Sequence, residues 1–150
     1  MKTFTLAAGV IAVLAVFNPA SAMTDTECTV AWTKADTNND GSLAAPEGAR
    51  YLASLRVAEK PVADGKLLKA TFIEHCKAGQ FDAVKAEAGA PLPGANSFTE
   101  GQAADRALAA GLTSISALKK DDKGVWRGTA ADGSKNVNVA IDFKGNVVAN

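Results

Sequence analysis

Apolar residues recur with a helical spacing in the first part of the chain. Residues 24–27 read Thr-Asp-Thr-Glu, the Ser/Thr-x-x-Glu pattern of a capping box, which predicts the start of a helix. The apolar face of that helix consists of Cys28, Ala31, Trp32 and Ala35. Residues 23–87 are therefore predicted to be mainly α-helical.

The spacing changes to a strand-like alternation after Gly111. Residues 99–102, Thr-Glu-Gly-Gln, form a second capping box and begin a helix predicted to run through Ala110. The predicted strands that follow are residues 112–120, 125–130, 136–143 and 147–148. In the third strand Val137, Val139, Ile141 and Phe143 share one face, and Asn136, Asn138, Ala140 and Asp142 share the other. We expect the helix to bury the first face and the second face to meet solvent.

Between these two parts, residues 88–96 read Ala-Gly-Ala-Pro-Leu-Pro-Gly-Ala-Asn. Two prolines, two glycines and the absence of periodicity predict a linker. The fold expected from these patterns is a mainly α segment at 23–87, followed by a small α+β unit at 97–150 in which one helix packs on an antiparallel sheet.

Residues 1–22 have the pattern of a signal peptide. Lys2 precedes an uncharged run from Thr3 to Phe17, and Ala20 and Ala22 provide small residues at the minus-three and minus-one positions of a cleavage site. A membrane anchor is the alternative, but the apolar run is shorter than the roughly 18 residues that span a bilayer. We therefore expect a periplasmic or secreted protein that has no membrane span after cleavage.

Charge and cysteine content narrow the function further. The chain has 150 residues, of which 47% are hydrophobic, so it is expected to fold. Removing Lys2 leaves 15 basic and 16 acidic residues, and this balance argues against nucleic acid or anionic lipid as a partner. Cys28 and Cys76 allow only one pairing, and an exported chain favours a disulfide over two free thiols.

Residues 36–47 match every fixed position of the pattern Asp-x-Asp/Asn-x-Asp/Asn-Gly-x5-Glu. Asp36, Asn38 and Asp40 alternate, so their side-chain oxygens are expected to converge on one cation, and Gly41 permits the sharp turn. The segment resembles the calcium-binding loop of EF-hand proteins. The alternative is an Asx-rich turn between two helices, which uses the same residue types.

The resemblance assigns the remaining calcium ligands to Ser42, through its carbonyl, and to Glu47, through both carboxylate oxygens one turn into the exiting helix. Ala44 supplies no ligand, so a water is expected at its position. Three carboxylates and a water predict a Ca²⁺ dissociation constant on the order of 10⁻⁶ to 10⁻³ M and weaker Mg²⁺ binding, and the same ligands would accept a lanthanide.

Residues 60–72 resemble a degenerate, metal-free EF-hand. Asp64 and Gly65 keep the middle of the pattern, whereas Lys60, Val62 and Thr71 replace three ligands. In that interpretation Leu43 pairs with Leu67 across a short two-stranded contact, and the cysteines join the helices that enter the first loop and leave the second. An ordinary Asp-Gly turn is the alternative.

Residues 97–150 resemble a PepSY domain in their element order, in the segment Gly-Val-Trp-Arg-Gly at 124–128 and in the ending at 139–148. PepSY domains are small α+β modules of exported bacterial proteins, including propeptides of secreted metallopeptidases. The resemblance implies an inhibitory or accessory binding role. Trp126 is either an exposed docking residue or, as we expect, a half-buried sheet residue.

The sequence contains no nucleophile elbow, phosphate-binding glycine loop or zinc-binding helix motif, so we do not expect an enzyme. The expected function is that of an exported protein that binds one Ca²⁺ and whose PepSY-like module docks on, or regulates, an envelope or secreted protein such as a peptidase. The alternative is a peptidase inhibitor or accessory protein in which Ca²⁺ is only structural.

Overall fold

The computed structural model describes residues 23–150 and shows a mixed α+β architecture. The predicted signal peptide lies outside the described residues. Within 23–150 the helices are α1 Asp25–Ala35, α2 Ala49–Val57, α3 Lys69–Lys77 and α4 Glu100–Ala109. The strands are β1 Ser42–Leu43, β2 Leu67–Leu68, β3 Ala86–Glu87, β4 Lys119–Lys120, β5 Trp126–Asp132, β6 Lys135–Ile141 and β7 Val147–Ala149.

Both predicted capping boxes are confirmed. At the start of α1, the Thr24 hydroxyl accepts the Glu27 N–H at 3.3 Å, and the Glu27 carboxylate accepts the Thr24 N–H at 2.8 Å. Thr99 and Gln102 exchange the equivalent bonds at the start of α4. Each box satisfies N–H groups that a helix end leaves without a partner, so the local sequence fixes where these helices begin.

An aromatic core holds the first half together. The Phe72 ring meets the rings of Trp32 and Tyr51 edge to face, with centroids 5.3 and 4.8 Å apart. Beside this core Cys28 and Cys76 form the predicted disulfide, which joins α1 to α3 with their Cα atoms 5.9 Å apart. The predicted cysteine pairing is confirmed.

The second half is a five-stranded sheet in the order β3-β7-β6-β5-β4, covered on one face by α4. All neighbours are antiparallel except β3 and β7, which run parallel. Val139 and Ile141 of β6 are buried in the cluster that contains Ala103 and Ala107 of α4, as predicted. The edge strand β3 lies before the predicted linker. The C-terminal sheet therefore includes residues from the segment 23–87, which was predicted to be mainly helical.

The prediction that the other face of the third strand, residues 136–143, meets solvent is wrong at its C-terminal end. Ala140 at the end of β6 and Asp142 just after it are both buried. Residues 88–96, predicted to be a linker, pack against this end of the sheet: Leu92 N–H donates to the Asp142 carboxylate at 3.2 Å, and the Asn96 amide donates to the Ile141 carbonyl at 3.4 Å. The segment therefore forms part of the fold rather than a free connection.

The predicted strand at residues 112–120 is wrong over most of its length. A single bridge joins Thr113 to Ala131, and strand structure returns only at β4. Between them Ser114 has a φ of 49°, and the Ser116 hydroxyl accepts the Thr129 N–H at 2.9 Å. A side-chain oxygen therefore replaces the backbone acceptor that a regular strand would offer to β5.

The two halves pack on each other through α2 and α4. Arg56 and Asp105 form a two-point ion pair across this contact, with nitrogen–oxygen distances of 2.8 and 2.6 Å. Because α2 follows the loop at 36–47 directly, the contact connects that loop to the C-terminal sheet.

The Asp142 carboxylate is expected to contribute to stability in a pH-dependent way. Burial alone would raise the pKa of Asp142, but hydrogen bonds from Asn146, Leu92 and Lys144 outweigh burial and lower it. A lowered pKa gives stability that is full above the pKa of an unfolded aspartate, about 3.9, and is lost as the pH falls through the folded pKa.

We expect Asp142→Asn to lower the free energy of unfolding at neutral pH by about 2 kcal/mol. The asparagine side chain places an NH₂ group where the carboxylate oxygen accepted an N–H, so two donors then face each other. Urea unfolding should also show a shallower loss of stability between about pH 5 and pH 2 in this variant. Asp132→Asn, at an exposed hairpin position, is the matched control. An unchanged acid profile in Asp142→Asn would contradict the role assigned to this carboxylate.

Candidate metal centre

The loop at 36–47 turns sharply within a few residues of the end of α1. Asp36 caps α1 and donates its N–H to the Trp32 carbonyl at 2.9 Å. Asn39 and Gly41 then adopt left-handed φ values of 55° and 79°, which asparagine and glycine tolerate best. The chain next enters β1, so the loop folds back over its own beginning.

Three carboxylates converge inside this loop. One oxygen from each of Asp36, Asp40 and Glu47 can be chosen so that all three lie within 4.8 Å of one another. Within residues 23–150, none of the three is in an ion pair with a lysine, an arginine or the histidine. Like charges this close repel, so the cluster favours a cation between them.

Backbone donors hold the carboxylates in position. The two oxygens of the buried Asp36 accept the N–H groups of Asp40 and Gly41, each at 3.2 Å. The side-chain oxygen of Asn38 also accepts the Asp40 N–H, at 2.9 Å. The turn is thus organised around its own acidic and amide side chains.

Asp40 is held by Ser42. One Asp40 oxygen accepts the backbone N–H of Ser42 at 2.8 Å and its hydroxyl at 2.9 Å. These hydrogen bonds lower the pKa of the Asp40 carboxyl, with a smaller contribution from the charge of Lys66. Asp40 is therefore present as the anion that a cation site needs.

Glu47 closes the loop from its far end. Its Oε2 atom accepts the N–H of Thr37 at 3.0 Å and the Thr37 hydroxyl at 2.9 Å. The prediction that Glu47 lies one turn into the exiting helix is wrong, because residue 47 lies in a turn at 45–48 and α2 begins at Ala49. Gly48 packs so closely on Leu43 that a Cβ would lie 2.8 Å from the Leu43 carbonyl carbon, and this contact places the turn.

The second loop braces the first. Leu43 and Leu67 are paired partners in the two-stranded sheet of β1 and β2, as predicted, and both side chains are fully buried. Asp64 and Gly65 turn the second loop with φ values of 56° and 62°. Asp64 is the only acidic residue between 60 and 71, so this loop has no set of carboxylates comparable with the first.

Other residues singled out from the sequence have structural partners. Trp126 is half-buried, as expected, and its indole N–H donates to the Phe98 carbonyl at 3.0 Å. Arg127, which follows Trp126 in the segment 124–128, is paired with Asp121 at 2.6 Å. The two hydrogen bonds from Thr37 to Glu47 were not predicted, because the motif leaves position 37 unspecified.

Within residues 23–150, the carboxylates of the first loop are the only cluster of three potential metal ligands from histidine, cysteine, aspartate and glutamate. The same part of the chain has no helix with the length and apolar character needed to cross a bilayer. Comparison with known proteins gave no match to a family model, a curated sequence or a solved structure. The geometry of the loop is therefore the basis for assigning a function.

Proposed function

We propose that the protein binds one Ca²⁺ in the loop at 36–47. The observation that carries this proposal is the convergence of Asp36, Asp40 and Glu47 within 4.8 Å without a basic partner among the described residues. In the proposal Asn38 adds its side-chain oxygen and Ser42 its carbonyl oxygen. Hard oxygen donors of this kind suit Ca²⁺ and leave no place for a thiolate or imidazole metal site.

The same donors favour Ca²⁺ over Mg²⁺. A glutamate that offers both oxygens and a loop that offers a backbone carbonyl suit an ion that takes six to eight ligands. Mg²⁺ demands a tight octahedron and releases its waters reluctantly. With Ala44 supplying no ligand, we expect an affinity on the order of 10⁻⁶ to 10⁻³ M and binding of lanthanides at the same position.

The surroundings of the loop support a stabilising role for the ion over a large conformational switch. A sensor opens by moving its helices apart when Ca²⁺ binds. Here the disulfide between Cys28 and Cys76 fixes α1 to α3, and the pairing of Leu43 with Leu67 fixes one loop to the other. The two loops and the helices α1 and α3 are thus linked to each other, which restricts the movement of α1 on binding of the ion.

Export and protein docking complete the proposal. A buried disulfide agrees with folding outside the reducing cytosol, in the periplasm or after secretion. The C-terminal unit would then dock on an envelope or secreted protein such as a peptidase. The protein is then either a calcium-dependent regulator or an inhibitor in which Ca²⁺ is only structural. Recovery of the partner from periplasmic extract with and without chelator distinguishes these two cases. A regulator loses its partner when the chelator removes Ca²⁺, whereas an inhibitor keeps its partner as long as it stays folded.

Calorimetric titration of residues 23–150, with the disulfide intact, tests the proposed calcium site. We expect one Ca²⁺ per chain and Mg²⁺ binding at least about tenfold weaker. A Ca²⁺ concentration of about 10 mM exceeds the dissociation constants of the weakest extracellular calcium sites. Absence of binding up to that concentration would show that the loop is only a turn. Two equivalent sites would contradict the metal-free character of the second loop.

A further inference from the structure

The side chain of Arg106, in the last turn of α4, forms no ion pair within residues 23–150. Its guanidinium lies over the Phe98 ring, 4.4 Å from the centroid, and packs so closely on Gly145 that a Cβ there would lie 2.5 Å from its Cζ atom. Among residues 23–150 no oxygen accepts a hydrogen bond from this guanidinium and no acid forms an ion pair with it. An arginine carries five N–H donors, and those of Arg106 are accessible to solvent, so they are available to a ligand.

Two acids close to Arg106 in charge or in sequence have other hydrogen-bond partners. Asp142 attracts Arg106 electrostatically, but the Asp142 carboxylate accepts hydrogen bonds from the N–H groups of Leu92, Lys144 and Asn146. Asp105, the preceding residue, is paired with Arg56. Burial accordingly lowers the pKa of Arg106, and the end of α4 provides only a partial negative charge.

Arg106 borders a cleft of about 360 Å³ between the segment at 82–87 and the turn at 144–147. Lys85 and Lys144 also line the cleft, and neither is in an ion pair within the described residues. Two acids, Asp82 and Glu87, line the wall beside these three cations, and Asp82 also contacts Arg50 at 3.4 Å. The cleft therefore has a net positive charge.

We infer that this cleft binds a small oxyanion, a phosphate or carboxylate group. This group would accept hydrogen bonds from the guanidinium of Arg106 and would be attracted by the positive charges of Lys85 and Lys144. The planar fork of arginine matches the oxygen spacing of both groups. The Asn146 amide and the N–H groups of the turn are already bonded to Asp142, so the side-chain cations carry recognition. The site lies outside the calcium loop and does not depend on that proposal.

Titration of calcium-stripped protein with inorganic phosphate and, separately, with succinate tests the inference. A buffer of Tris and chloride at constant ionic strength, without chelator, avoids competing oxyanions and calcium phosphate. We expect dissociation constants of about 0.1 to 10 mM for at least one of the two, weakened at least tenfold in Arg106→Gln. Binding of phosphate alone would identify a phosphoryl ligand, and binding of both would identify a general oxyanion site.

Arg127→Gln is the matched control, because Arg127 is an exposed arginine that is paired with Asp121 and does not line the cleft. The affinity of this variant for the anion should be unchanged. Arg106 also packs on Phe98, so Lys85→Gln and Lys144→Gln provide variants that leave this packing intact, each expected to weaken binding about threefold. No binding of either anion at about 50 mM, or binding unaffected by Arg106→Gln in a folded protein, would overturn the inference.

Discussion

Glu47→Gln is expected to lower the Ca²⁺ affinity of the protein by at least about 100-fold, equivalent to about 2.8 kcal/mol of binding free energy. Glu47 is one of three carboxylates that meet within 4.8 Å, and the substitution removes both its charge and an oxygen ligand. The amide that replaces it can still accept the Thr37 N–H, which the carboxylate accepts at 3.0 Å. The variant should therefore fold normally and lose only the ion.

Glu74→Gln is the matched control for this variant. Glu74 is exposed on α3 and lies outside the loop, so the same loss of one negative charge should leave Ca²⁺ affinity unchanged. Calorimetric titration of both variants separates a ligand from a general charge effect. Equal affinity in Glu47→Gln and in the unaltered protein would exclude Glu47 as a ligand.

Removal of the disulfide, as Cys28→Ala with Cys76→Ala, is expected to lower the free energy of unfolding by about 4 kcal/mol. The two cysteines are 48 residues apart in sequence, and the chain-entropy model gives this magnitude for a closed loop of that size. Both side chains are buried in the aromatic core of the first half, where the link also holds α1 against α3. Urea unfolding of the calcium-loaded proteins measures the difference.

Reduction of the unaltered protein provides the control for the double variant. The free energy of unfolding of the reduced protein should be close to that of the double alanine variant. The remaining difference is the cost of removing the two sulfur atoms from the core. A difference below about 1 kcal/mol between oxidised and reduced protein would show that the paired loops hold α1 and α3 together without the cross-link.

The parts of the fold that depend on neighbouring residues could be predicted from the sequence. A capping box needs only four consecutive residues, so the starts of α1 and α4 followed directly from their sequences. The pairing of Leu43 with Leu67 was predictable because the two loops share a spacing in which the eighth position is apolar. The cysteine pairing followed from the presence of only two cysteines.

The parts that depend on distant partners could not be predicted. Residues 88–96 read as a linker, and they pack on the sheet because Asp142, about fifty residues later, accepts the Leu92 N–H. The predicted strand at 112–120 is interrupted where the Ser116 hydroxyl accepts the backbone N–H of Thr129, a residue 13 positions later. Similarly, the motif fixed the spacing of Glu47 but not its place before α2, which depends on the tight contact of Gly48 with Leu43.

Anomalous diffraction from crystals grown with Ca²⁺ tests the central claim most directly, because it locates the ion as well as counting it. We expect one calcium peak per chain among Asp36, Asp40 and Glu47, at about 2.3 to 2.6 Å from their oxygens and from the Ser42 carbonyl. A chain with no peak at this loop in saturating Ca²⁺, or with its peak at the second loop, would contradict the proposed calcium site.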